Sequence, residues 1–164
     1  MSGGRHHLTG KMSRAFVKDG DESIEHLPDR SVSEHPNDVT KEGLAQIEAA
    51  LASAQTTHAA AQAAGDRAAI ASAARELRYW SVRRATANVV AEPDDSTQVR
   101  FGHTVTIKRD DGREQSYRIV GEDEADPTRG TVSHVSPLAR ALFGKSVGDV
   151  VKVGRGEAEI LKIS

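Results

Sequence analysis

The sequence predicts an α+β protein: an antiparallel helical hairpin followed by a small antiparallel sheet domain carrying one short helix. Three observations point to it. Residues 40–91 are Ala-rich, lack proline and repeat their apolar positions every three or four residues. Beyond residue 97 the apolar period falls to two, with turn residues between the runs. At the change of period lies Pro93-Asp94-Asp95-Ser96, a helix stop and linker.

Ahead of the hairpin, residues 1–39 are polar and show no sustained apolar period. They hold 5 Lys+Arg and 7 Asp+Glu. Such a segment buries too little apolar surface to offset its ordering entropy, so it is expected to be a flexible arm. Met12 is an alternative start of translation. His6, His7, His26 and His35 follow no metal-ligand spacing and are expected in solvent.

The hairpin is expected over residues 40–92. Thr40 suits an N-cap, and Glu42 complements the helix dipole in the first turn. Leu44, Ile47, Leu51, Ala54, His58 and Ala61 run at a 3-4-3-4-3 spacing, and Ile70, Ala73, Leu77, Trp80, Arg84 and Ala87 repeat it. Between them, Gly65-Asp66 combines a C-terminal glycine with an aspartate cap. A seam rich in alanine lets helices approach closely but buries little area, so the hairpin needs support from elsewhere. Trp80 is expected to pack against the sheet domain. Arg75, Arg78, Arg83 and Arg84 form a basic face, open to solvent or to an acidic surface or RNA.

The sheet domain is expected over residues 97–164. Val99, Phe101, Val105 and Ile107 suggest a first strand region, followed by the turn Asp110-Asp111-Gly112 and a second strand through Tyr117, Ile119 and Val120. Thr131–Val135 reads as a third strand. Pro137 begins a short helix with Leu138, Leu142 and Phe143 as core, stopped by Gly144. Val147-Gly148-Asp149 is a turn between two closing strands, Val150–Val153 and Ala158–Ile163.

Composition narrows the function. Lys+Arg number 22 against 24 Asp+Glu, a net charge of -2, which argues against a bulk-basic nucleic-acid binder. The absence of cysteine excludes disulfides, thiolate metal sites and a Cys nucleophile. No apolar run approaches the ~20 residues of a membrane span, and the N-terminus lacks a signal-peptide core. A soluble cytoplasmic protein is expected, without membrane contact. Aromatic residues make up 4% of the chain, too few for an aromatic-lined substrate pocket.

Several motifs resemble the Gre family of bacterial transcription elongation factors. They are Val99-Arg100-Phe101-Gly102, Tyr117-Arg118-Ile119-Val120-Gly121 and Glu122-Asp123-Glu124-Ala125-Asp126, then Ser136-Pro137-Leu138-Ala139-Arg140-Ala141-Leu142 and Lys145-Ser146-Val147-Gly148-Asp149. Thr40-Lys41-Glu42-Gly43 is similar to the start of that family's coiled coil. The resemblance implies a C-terminal domain similar to FK506-binding proteins that docks on RNA polymerase. It also implies a coiled coil entering the polymerase's secondary channel, with indirect contact to nascent RNA. Ser136, Pro137, Arg140, Asp123 and Asp126 are its candidate partner-binding residues.

In that family, acidic residues at the hairpin tip help hold a catalytic magnesium, so the cation is shared with the polymerase and the factor needs no cofactor of its own. The family segment Gly-Asp-Leu-Ser-Glu-Asn-Ala-Glu-Tyr corresponds here to Gly65–Ser72, which retains only Asp66 and places Arg67 beside it. The acidic pair is therefore not carried over. A helix over Lys41–Ala64 extends roughly 36 Å at ~1.5 Å per residue, shorter than the family's coiled coil by several turns. Asp66 has two readings, helix cap or weak tip acid. The expected role is regulation of elongation and of backtracked-transcript cleavage, without enzymatic activity of its own. Two alternatives stand beside it: a channel-binding inhibitor lacking cleavage activity, and a peptidyl-prolyl isomerase on the shared fold.

Overall fold

The computed structural model describes residues 27–164. The arm's first 26 residues, with Met12, His6, His7 and His26, lie outside the described residues. The chain divides into two compact units. One joins residues 27–32 with Ala50–Val82; the other joins Ser33–Ala49 with Arg83–Ser164. The root of each long helix therefore belongs to the sheet unit.

In the helical unit, α1 (Lys41–Ala64) and α2 (Arg67–Thr86) are joined by Gly65 and Asp66. Gly65 adopts φ +67°, a left-handed conformation that ends a helix at little cost for glycine alone. Asp66 then starts the next helix, its Oδ1 accepting from the Ala69 amide at 3.1 Å. Ala54, Ala61 and Ala73 are buried, and Leu51, His58, Ile70 and Leu77 half-buried, so the expected seam forms. Trp80, expected against the sheet domain, instead belongs to the helical unit. Its ring meets Tyr79 edge to face at 4.9 Å and takes Arg30 at 5.7 Å.

In the sheet unit, β1 (Asp38–Val39) and β2 (Asn88–Val89) pair in parallel, Asp38 opposite Asn88 and Val39 opposite Val89. The end of the expected arm is thus ordered. A pairing of two residues across 50 positions of sequence leaves no local period to read.

The main sheet contains β3 (Thr104–Arg109), β4 (Glu114–Val120), β5 (Thr131–Ser133), β6 (Val150–Val153) and β7 (Gly156–Ile163), in the order β5-β4-β3-β7-β6. It is mixed rather than wholly antiparallel, because β5 runs parallel to β4. A 3-10 turn at Pro127–Arg129 helps carry the chain back to start β5 in that direction. Along β7, Ala158 and Ile160 face the core, then Ile163 rather than residue 162. A register shift opposite Thr106/Ile107 absorbs the extra residue.

Val99 and Phe101 are buried in the core but lie in a loop, not in the expected first strand. The loop is held by bonds between Val99 and residues 144 and 145, and by Gly102 donating to the Ile119 carbonyl at 2.8 Å. Helix α3 (Pro137–Leu142) covers the core with Ala139 and Leu142, both fully buried. Phe143, expected in the core, is 50% exposed. It stands at the helix C-cap with φ -58° and ψ 129°, where the extended backbone has left the helical face.

Candidate functional site

The helix roots meet the acidic loop Glu122–Asp126, and most of that loop's charge is committed there. Thr40 caps α1, its hydroxyl accepting from the Gly43 amide at 2.9 Å. The same hydroxyl donates to Glu124 Oε1, and the Thr40 amide donates to Glu124 Oε2 at 3.0 Å. The Gly121 amide also reaches Glu124 Oε2, at 3.1 Å. Two glycines make room for this clasp. A Cβ on Gly43 would lie 2.0 Å from Glu124 Oε2, and one on Gly121 would lie 2.6 Å from the Asp38 carbonyl oxygen. Thr40-Lys41-Glu42-Gly43 is therefore a cap plus a seat for a carboxylate from another element.

Arg83 forms the second half of the anchorage. Its side chain is only 2% exposed, and Nε donates to Asp123 Oδ2 at 2.6 Å. Nη2 donates to Asn37 Oδ1 at 2.7 Å, with Glu122 Oε2 at 3.8 Å. Asn37 Nδ2 in turn donates to the Arg83 carbonyl and to Thr86 Oγ1. A buried guanidinium persists only with such partners, since removing them leaves an uncompensated charge. The expected seam places Arg84 inward and groups Arg83 with a basic face. The structure buries Arg83 and leaves Arg84 exposed, 3.8 Å from Glu48.

Of the candidate partner-binding residues, Asp123 is 9% exposed and engaged with Arg83. Asp126 caps the 3-10 turn, accepting from the Thr128 amide and hydroxyl at 3.1 and 2.6 Å. The Thr128 hydroxyl bond holds its carboxyl below the usual aspartate range. Ser136 caps α3 by accepting from the Ala139 amide at 3.2 Å, and Pro137 occupies the first helical turn. Pro137 and Arg140 are exposed; Arg140 Nη2 lies 3.4 Å from His35 Nε2. Beside them His134 stacks edge to face on Phe101 at 5.5 Å. Burial lowers the pKa of His134 despite Asp38 and Glu122 nearby. Ser136, Pro137 and Arg140 thus lie at the N-cap and first turn of α3, whereas Asp123 pairs with Arg83 inside the fold.

The tip chemistry is sparse. Asp66 is exposed and already accepts one backbone bond as a cap. Among the described residues no group of three or more His, Cys, Asp or Glu is placed to hold a metal ion. A lone capping carboxylate beside Arg67 does not fit a magnesium site, which needs several oxygen ligands or a partner's carboxylates. His103 is a structural histidine: Nδ1 accepts from the Arg100 amide at 2.9 Å, so Nε2 donates to the Asp95 carbonyl at 2.8 Å. Phe101 is in the core, Tyr117 packs against it and Phe143 is half exposed, so these rings do not share an isomerase-like pocket. Among the described residues no helix is long and apolar enough to cross a membrane.

Comparison with known proteins relates the C-terminal part of the chain to a described family. Residues 93–164 match the family described as transcription elongation factor, GreA/GreB, C-terminal. The chain is 44% identical over 96 residues to transcription elongation factor GreB of Neisseria meningitidis serogroup B, covering 54% of this chain and 58% of that protein. It is 50% identical over 72 residues to GreA of Hyphomonas neptunium, covering 41% and 46%. The chain thus spans about half the length of these relatives. The solved GreA factor homolog 1 (Gfh1) of Thermus thermophilus aligns with 79% of this chain and 99% of its own, at 20% identity and a TM-score of 0.39. Residues 93–164 are therefore similar to the C-terminal domain of the GreA/GreB transcription elongation factors.

Proposed function

We propose that this protein binds bacterial RNA polymerase through the surface carrying Ser136, Pro137, Arg140 and Asp126, and inserts its helical hairpin into the polymerase's secondary channel. The observation that carries the reading is the anchorage of both helix roots on a Gre-type domain. Thr40 is clasped by Glu124 and Arg83 by Asp123, so the roots of both helices are built into the docking unit. Asp123 contributes by seating α2, not by touching the partner.

The tip supports regulation by occupancy. A prong with a single capping carboxylate brings no acidic pair to a magnesium ion. The factor alters elongation and backtracking by filling the channel, and the polymerase retains all the chemistry. Adding purified protein to a halted, backtracked polymerase complex tests this. The expected result is changed elongation with RNA shortening no faster than for polymerase alone. Accelerated shortening would overturn the occupancy reading, and absence of any effect or binding would overturn the function.

A further inference from the structure

The short segment ahead of the hairpin lies against α2. Arg30 Nη1 pairs with Glu76 Oε2 at 2.7 Å, and its guanidinium sits 3.7 Å from the centre of the Tyr79 ring and 5.7 Å from that of Trp80. One residue earlier, Asp29 Oδ1 pairs with Arg78 Nε at 2.5 Å. Strap and helix alternate in charge: Asp29 faces Arg78 while Arg30 faces Glu76. Both aromatic rings of α2 lie within reach of the same cation.

We propose that Asp29–Arg30 is an ionic strap that covers this face of the prong in the free protein and must lift before the prong is used. The inference rests on the channel-insertion reading for its consequence, but not for the strap itself. All four ionic side chains are substantially exposed: 34% and 42% for Arg30 and Glu76, 50% and 67% for Arg78 and Asp29. Exposed pairs of this kind are weak and screened by salt, the Debye length falling from ~10 Å at 0.1 M to ~3 Å at 1 M. The latch is thus weak enough to release. A strap closed about nine-tenths of the time lowers the apparent affinity of a partner for the uncovered face about tenfold.

Two readouts on the full chain separate the strap from its use. Trp80 is the only tryptophan and reports the strap directly. Its emission is expected to shift between 0.1 and 1 M salt in the natural protein. A variant carrying Asp29→Asn and Arg30→Gln should show the shifted emission already and little response to salt. An identical, salt-insensitive emission from both proteins would overturn the strap. Binding to core RNA polymerase then tests its role. The variant should bind about three- to tenfold more tightly, and the charge swap Arg30→Glu with Glu76→Arg should return affinity toward that of the natural protein. Equal or weaker binding by the variant, with the emission shift present, would mean that the strap only supports the hairpin and would overturn the covering role. If neither protein bound polymerase, the insertion reading would fail and the regulatory role with it, while the emission shift would still stand as evidence for the strap.

Discussion

Arg83 shows how one buried charge organises the base of α2. Its side chain is almost wholly enclosed, and separate nitrogens serve Asp123 and Asn37. Replacing it with alanine takes the guanidinium away from Asp123 and from Glu122, whose Oε2 already lacks a hydrogen bond. The expected loss is about 3–5 kcal/mol in denaturant unfolding. Arg83→Lys should recover only part of it, because an ammonium cannot reproduce the planar fork. Gly43 poses a sharper contest. Alanine there gains up to about 1 kcal/mol of helix propensity, but its Cβ would displace Glu124 from bonds worth roughly 1.5–3 kcal/mol each. Gly43→Ala is therefore expected to destabilise, and a stabilised variant would show that the clasp contributes little. His134 gives a pH dependence. Burial lowers its folded pKa below the unfolded value near 6.5. The unfolded chain therefore takes up the proton first, and the histidine's contribution is full above that pH and lost as pH falls below it. Thermal melts at pH 7.5 and 5.5 should show a smaller loss on acidification for His134→Gln than for the natural protein. None of these three roles was visible in the sequence. Arg83 looks like one member of an arginine-rich face, and only the partners supplied by residues 37, 122 and 123 distinguish it from Arg84.

The long helices were legible because their signals are local. A seam at 3-4 spacing, a glycine able to take φ +67° and an aspartate after it specify two helices and the turn between them. The same locality makes the turn testable. Asp66→Ala should cost about 1 kcal/mol, and Asp66→Asn should cost almost nothing, since asparagine caps nearly as well. Thermal melts of the two variants distinguish capping from any role of the charge. Strands joined by tight turns were equally readable, as in the hairpin of β3 and β4 around Asp110-Asp111-Gly112. The parallel placement of β5, the pairing of β1 with β2 and the buried loop at Val99 and Phe101 were not. Each depends on a partner distant in sequence, and Phe101 is apolar at a strand-like spacing while its backbone forms a turn. Phe143 failed in the opposite direction, because the helix that would carry it inward ends one residue earlier.

For the whole molecule, family motifs and structure divide the candidate site between them. Glu122, Asp123 and Glu124 and the glycines Gly43 and Gly121 are explained by anchorage inside the fold. Ser136 has a capping bond, and Pro137 and Arg140 are exposed; in the proposed docking they are the side chains that face the polymerase. The chain contains no cysteine, so a single one placed by Ala68→Cys in the first turn of α2 is a unique attachment point for a photocrosslinker. Crosslinking this variant to core RNA polymerase and mapping the attached residues tests insertion of the prong most directly. The account predicts crosslinks to polymerase residues lining the secondary channel, reduced when Pro137 and Arg140 are replaced together by Ala. Crosslinks confined to the outer surface of the polymerase, or none under conditions where the protein binds, would contradict it.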